Sequence, residues 1–313
     1  MLKKRAALLK GSVALTVVSD EEIGGAYGTK HLLQHCGNPS PRKSDVVVNG
    51  EPGGLQSVRS GEKGTLHLTF TVATEGGNGA YTHRSYGVVV YASALIVTLK
   101  AEIERIDVEI PPYVREYLRS DEVRRVADDT MGAGAAANLL KATLNIGIIQ
   151  GGVKVDAMPS ACVFEADIHL PVGLTAKTVC AFLDEMLISW PGVSYCVQEA
   201  ASNPSSLSTL HHPFSNCIAD DAQSVTGCGP VSLVGLDGTD CNFYRYQHVP
   251  AFVFGPSPSG MGAVGEAVLI DEYISVIKTH ALAVFRYLWD GKEPMNSGLN
   301  PDLGAHALGH LGS

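Results

Sequence analysis

The feature that most constrains the fold is the order of hydrophobic periodicities between Gly61 and Ala200. The stretch "GTLHLTFTVAT" alternates apolar and polar residues at period two, as a half-exposed strand does. A glycine-rich turn, "EGGNGAYTHRS", leads into the apolar run "GVVVYASALIVTL", which is too short to span a bilayer and reads as a buried helix ending near Arg105. The stretches "TLNIGIIQGG" and "SACVFEADIHLP" are two further strands, "TAKTVCAFLDEMLISW" is a helix, and "VSYCVQEA" is a strand. Strand, helix, two strands, helix, strand is a split-βαβ sandwich. It is inserted into something else, because strand patterns lie on both sides of it.

Upstream, residues 3 to 9 read as the end of a helix, and "SVALTVVS" from Ser12 has the β-branched density of a buried strand. That places Asp20, Glu21 and Glu22 at a strand's C-terminal end, where α/β sheets put their chemistry. "GAYGTKHLLQHC" reads as a helix closed by Gly37, and "SDVVVNGEPGG" as a short buried strand with Glu51 at its end. Downstream, the Ser/Pro-rich "ASNPSSLSTLHHP" returns to the strand "GPVSLVG", the loop "LDGTD", a helix, the strand "VPAFVFGP" and an amphipathic helix over about 271–289. The expected fold is α/β. A partial mixed sheet with helices on both faces spans residues 1–61 and 201–290, the split-βαβ insert spans 62–200, and 291–313 form a loose Gly/Pro/Asn-rich tail.

The 313 residues are 45% apolar and carry a formal net charge of -9, so nothing electrostatic favours nucleic acid or an anionic membrane. The seven cysteines (Cys36, Cys162, Cys180, Cys196, Cys217, Cys228 and Cys241) are scattered without a CxxC pair, which reads as reduced thiols in a cytoplasmic protein. The opening "MLKKRAALLKGSVALTVVS" has a basic start, but Lys10 and Gly11 interrupt the apolar stretch and no small-x-small cleavage site follows.

Taken alone, two adjacent glutamates at a strand end are either a solvated turn or catalytic machinery. A carboxylate can hold a divalent metal while its neighbour takes a proton from metal-bound water, and Glu51 supplies another carboxylate at a second strand end. The histidine pairs His31/His35, His211/His212 and His306/His310 read as solvated side chains, since none has the local context of a metal-binding helix.

Five ordered motifs, "DEEIGGAYG", "VVVNGEPGG", "GEKGTLHLTFTV…GAYTHRS", "GGVKVDAMPSACVFEADIHLPVG" and "GTDCNFYRYQHVPAFVFGP", resemble the dizinc deacylase and peptidase family over nearly all of residues 10 to 290. That family contains acetylornithine deacetylase, succinyl-diaminopimelate desuccinylase and related carboxypeptidases. The resemblance implies Glu21 as general base, Glu22 and Glu51 as metal ligands, and His83 as an oxyanion donor reaching across a homodimer built on the insert. It implies substrate contacts from Asp156, His169, Gly238, Thr239 and Asp240, and a substrate that is an N-acyl amino acid or short peptide. Zinc is the implied ion, with cobalt or manganese as chemically acceptable substitutes.

Departures from the pattern bear on activity. The family's His-x-Asp motif and bridging aspartate precede its DEE by more than the nineteen residues found here before Asp20, so a truncated member is expected. The family's last histidine ligand falls on Gly262, and its insert Asn and Arg fall on Asp156 and His169. The expectation is a metal-dependent amide hydrolase impaired by missing ligands. Its alternative is a non-catalytic dimerising homologue or fragment.

Overall fold

The computed structural model describes residues 2–21, 25, 27–35, 44–257, 259–261 and 263–289. Glu22, Gly262, Cys36, His306 and His310, all named above, lie outside them. Along the chain, α1 (Thr29–His35) precedes β1 (Val47–Asn49), β2 (Ser57–Glu62), β3 (Gly64–Ala73), β4 (Gly77–Asn78) and α2 (Val88–Ile103). Then come α3 (Pro112–Leu118), α4 (Asp121–Met131), α5 (Ala135–Asn138), β5 (Thr143–Gly151), β6 (Ala157–Met158), β7 (Ala161–Leu170), α6 (Ala176–Leu187) and β8 (Val193–Val197). The last described elements are β9 (Ser206–Leu207), α7 (Pro213–Thr226), β10 (Val231–Gly235), α8 (Cys241–Arg245), β11 (Ala251–Val253) and α9 (Ile270–Leu288).

The first sheet is mixed, in the order β1-β11-β2-β10. β1 runs parallel to β11 and β10 parallel to β2, whereas β11 meets β2 antiparallel at Val253 and Arg59. Beyond that point β9 takes over the same edge of β2, pairing with Gly61 and Glu62. Alternation along β11 sends its side chains to opposite faces. Phe252 and Phe254 pack with Phe214 and Ile218 of α7 and Val276 and Ala283 of α9, while Ala251 and Val253 pack with Leu33 of α1 and Tyr244 of α8. α9 is clamped to α7 by a two-bond pair, Arg286 to Asp221, at 2.6 and 3.1 Å.

The second sheet is wholly antiparallel, in the order β5-β7-β3-β8. With α2 and α6 on one face it has the strand order of a split βαβ unit. Leu66, Leu68, Phe70 and Val72 of β3 and Phe164 and Ile168 of β7 bury their side chains against Leu95 and Leu99 of α2 and Leu183 of α6. Each such side chain contributes about 1.5–3 kcal/mol. Phe70 stacks on Phe164 with ring centroids 4.7 Å apart.

Two local readings are corrected. Residues 2–8 form a 3-10 segment rather than the end of an α-helix. The stretch from Ser12 forms no ladder among the described residues, and Leu15 and Val17 stand 90% and 84% exposed. β-branched density favours a strand only where a neighbour supplies hydrogen bonds and cover. Residues 106–142, unassigned from sequence, carry α3 to α5, which pack not on the second sheet but with Leu233 and Val234 of β10 and Leu210. Among the described residues no helix is long and apolar enough to cross a membrane.

Candidate active site

A cavity of about 140 Å³ lies where β2 passes into β3 and the loop after β10 turns into α8. Its lining includes Glu21 together with Gly238, Thr239 and Asp240, more than two hundred positions later in the chain, the residues for which the resemblance implies the general base and substrate contacts. Lys63, Gly64, Thr65, Asn203, Asn242 and Phe243 complete the wall.

The loop is held from below. Thr239 Oγ1 donates to Glu62 Oε1 at 2.7 Å, and Arg245 Nη1 donates to Glu62 Oε2 at 2.8 Å, so both oxygens of a fully buried carboxylate are satisfied. Arg245 also donates from Nε to the Ala251 carbonyl at 2.9 Å, which ties α8 to β11. Asn242 accepts a short hydrogen bond from Ser206 Oγ. Asp240 accepts from Thr29 Oγ1 at 2.6 Å, yet among the described residues its buried Oδ1 finds no hydrogen-bond partner, nor does Oδ1 of Asp20. Burial raises the Asp240 carboxyl above its ordinary range, and the charges of Asp20 and Glu62 add to this against the Thr29 hydrogen bond.

Lys63 is the unexpected wall residue. Its side chain is buried, Nζ donates to the Lys141 carbonyl at 2.8 Å, and burial, reinforced by the charge of Lys141, pulls the ammonium down to about 8. Gly64 beside it must be glycine, because a Cβ there would stand 2.3 Å from Ser205 N and 2.4 Å from Asn203 O. The linker that carries Asn203 can close the cavity only against a bare backbone.

The other selected residues lie elsewhere. Glu51 follows β1, its backbone N–H donating to Asn49 Oδ1 at 3.0 Å, and Gly255 approaches it so closely that a Cβ would stand 2.1 Å from Glu51 O. His83 is exposed beyond β4, its ring 5.9 Å from that of Tyr81. Asp156 is exposed and pairs with Lys154 at 3.1 Å. His169 stands on β7 beside Asp167 at 3.0 Å. Neither Glu51, His83, Asp156 nor His169 lines the cavity. His212, expected to be solvated, instead caps α7 by accepting from Phe214 N at 3.2 Å, and burial lowers its pKa.

A structural or catalytic metal needs three or four N, O or S donors converging on one point, some of them from solvent or substrate. Among the described residues no group of three or more His, Cys, Asp or Glu is placed to hold an ion. The described donors therefore do not fit a dinuclear centre, and no chemical step is assigned to one. The missing signal for Lys63, Glu62 and Arg245 is intelligible: each is an ordinary charged residue in sequence, and only burial makes it part of the site.

A family model described as peptidase family M20/M25/M40 matches residues 1–286. Succinyl-diaminopimelate desuccinylase of Maricaulis maris is 24% identical over 279 residues, covering 87% of this chain and 65% of that protein. A probable carboxypeptidase of Aspergillus niger is 26% identical over 162 residues, 52% of this chain and 34% of its own length. The chain thus spans less than two thirds of the length of these relatives. Among solved structures, an M20 family metallo-carboxypeptidase from Sulfolobus solfataricus superposes with a TM-score of 0.61 at 16% identity, over 85% of this chain and 68% of that one. Human carnosine dipeptidase 1 does so with a TM-score of 0.55 at 13% identity, over 85% and 64%.

Proposed function

Because the chain belongs to peptidase family M20/M25/M40, we propose that it is a metal-dependent hydrolase of amide bonds, acting on N-acyl amino acids or short peptides, with turnover held low by an incomplete ligand set. The observation that carries this reading is the shared cavity: Glu21 lies in one wall with Gly238, Thr239 and Asp240. In that position Glu21 takes the proton of the attacking water, as a carboxylate can only if it reaches the reacting atoms. Thr239 and Asp240, fixed through Glu62 and Thr29, orient the substrate. Glu22 and Glu51 are the proposed ligands for a divalent ion, zinc above cobalt or manganese; Glu22 lies outside the described residues and Glu51 outside the cavity wall, and no step is assigned to the ion.

His83, Asp156 and His169 are proposed to act on substrate, His83 from the second subunit of a homodimer formed through the second sheet. Support for that dimer comes from α2, where Val90 and Val97 stand 63% and 70% exposed, and from β5, which carries exposed Ile148 and Ile149 and pairs on one side only among the described residues. An exposed apolar helix face beside an open strand edge is a surface that proteins usually cover.

Metal content and hydrolysis of N-acetyl amino acids and dipeptides test the function. The expected result is less than one ion per chain and slow, metal-stimulated hydrolysis that Glu21→Gln abolishes. Two tightly held ions with fast turnover would overturn the impairment. The lack of a three-donor group among the described residues favours a second reading, a non-catalytic dimerising homologue, which predicts no hydrolysis even with metal supplied.

A further inference from the structure

A second cavity, of about 300 Å³, opens where α3, α4 and α5 meet. It shares no wall residue with the candidate active site, and it is the larger of the two. Pockets for small molecules begin at about this size. The chain path explains its position: α3 ends at Leu118 and α4 begins at Asp121, so Leu118 and Arg119 lie on one side of the joint and Arg124 lies one turn into the next helix. Ala136 and Ala137 of α5, with Leu140 and Lys141 just after it, close the wall.

The wall has two halves of different chemistry. Leu118, Ala136, Ala137 and Leu140 are apolar, and Leu118 belongs to the core that packs on β10. Arg119, Arg124 and Lys141 bring three cations to the same cavity in a chain whose formal net charge is -9. Among the described residues no acidic side chain lines it.

Gathered cations repel one another, so the grouping needs anions, and the carboxylates nearby are engaged elsewhere. Four arginines lie on α3, α4 and the joint between them. The two outside the cavity wall are paired: Arg115 donates to the Val108 carbonyl and lies 3.8 Å from Asp107, and Arg125 meets Asp129 at 2.9 Å. The two in the wall, Arg119 and Arg124, are exposed and meet no carboxylate at ion-pairing distance among the described residues. Asp128 is turned to Ala136 N at 2.8 Å, Lys141 is bridged to Glu104 at 2.7 Å, and Asp121 and Glu122 occupy the first turn of α4, where carboxylates suit the helix dipole. Two guanidinium charges are therefore left over at the cavity, beside an apolar wall.

We propose that this cavity binds a carboxylate carried on a short acyl chain, with the carboxylate held by Arg119 and Arg124 and the chain laid against Leu118, Ala136 and Leu140. A guanidinium presents paired N–H donors that match the two oxygens of a carboxylate. The apolar half offers no hydrogen-bonding side chain, which favours an acyl chain over a peptide terminus carrying amides. Binding there needs neither metal nor turnover, so the site stands apart from the hydrolase reading.

The test is calorimetric titration of the full metal-free chain at neutral pH with hexanoate, hexanamide, acetate and N-acetyl-leucine. Hexanoate is expected to bind at least roughly tenfold more tightly than hexanamide, which lacks the charge, and than acetate, which lacks the chain. Arg119→Gln and Arg124→Gln, both at exposed positions, are each expected to weaken hexanoate severalfold, and together by roughly tenfold or more at an unchanged unfolding midpoint. Glu21→Gln, in the other cavity, is expected to leave hexanoate binding as it was. Acetate as tight as hexanoate means an adventitious anion only, and hexanamide as tight means a greasy surface only; either overturns the proposal. So does hexanoate that fails to bind, or that binds the double variant as well as the parent. A loss confined to Glu21→Gln puts the acid in the active-site cavity instead. N-acetyl-leucine that binds more tightly than hexanoate, and loses that advantage in the double variant, makes the occupant a peptide terminus and overturns the acyl chain.

Discussion

Arg245 donates to Glu62 at 2.8 Å with 3% and 0% of the two side chains exposed, joining residues 183 positions apart beneath the wall of the cavity. Each partner needs the other. Removing one leaves a buried charge uncompensated, at a cost of about 3–5 kcal/mol. Arg245→Ala is therefore expected to lower urea-unfolding stability by that amount, whereas Glu62→Gln combined with Arg245→Met is expected to recover much of it. A single-variant loss under about 1 kcal/mol would show that the pair behaves like a surface one.

Lys63 predicts a pH dependence with a definite sign. Its folded-state pKa is lowered, from 10.5 to about 8, by burial first and then by Lys141. Between those values the unfolded chain binds the extra proton and the folded chain does not, so stability rises with pH across that window. Below about 8 the penalty for a buried ammonium is fully present. Unfolding midpoints measured from neutral pH to above pH 10 check this, and Lys63→Met is expected to flatten the rise.

Asp167 predicts the opposite edge. Burial alone would raise its carboxyl, but the hydrogen bonds and charges of His169 and His67 outweigh burial and hold it below the ordinary carboxylate range. Its contribution is thus present above the unfolded-state value and lost as pH falls through the folded one. Acid titration by circular dichroism should show Asp167→Asn losing less stability on acidification than the parent chain.

Gly255→Ala should disturb Glu51 without touching its side chain. The added methyl would stand 2.1 Å from Glu51 O and 2.5 Å from Gly50 O, both backbone atoms that cannot swing aside. The overpacking is expected to cost about 1–3 kcal/mol and to displace the turn after β1. Metal uptake, where the parent chain shows any, should fall in parallel.

Val90→Glu with Val97→Glu tests the dimer. Both side chains are mostly exposed on α2, so charges there leave the fold standing while opposing close approach of a second copy. Sedimentation should report a dimer for the parent and a monomer for the variant at equal unfolding temperature. A parent chain that sediments as a monomer rules out this surface.

The periodic stretches were legible because burial acts on them locally. The alternation of Leu66, Leu68 and Phe70 and the apolar run from Val88 to Leu99 announced β3 and α2, and both form. The strand expected from Ser12 failed because propensity needs a partner strand that no described residue supplies. α4 carries buried Val123, Val126 and Ala127 at helical spacing, so that helix was open to a sequence reading that left it unassigned, whereas the packing of α3 to α5 against β10 is a long-range choice.

By itself the sequence determined the α/β character and the split-βαβ order, since both are carried by periodicity, while the grouping of Glu21 with Gly238, Thr239 and Asp240 was an expectation that only the family resemblance implied. Tertiary structure alone decided that Glu62 and Arg245 pair, that Lys63 is a buried ammonium at the cavity wall, and that one aspartate, Asp167, holds two histidines. The physical reason is the same in each case: a charged side chain acquires its energy from burial and from partners brought by the fold, and neither is a property of its position in the chain.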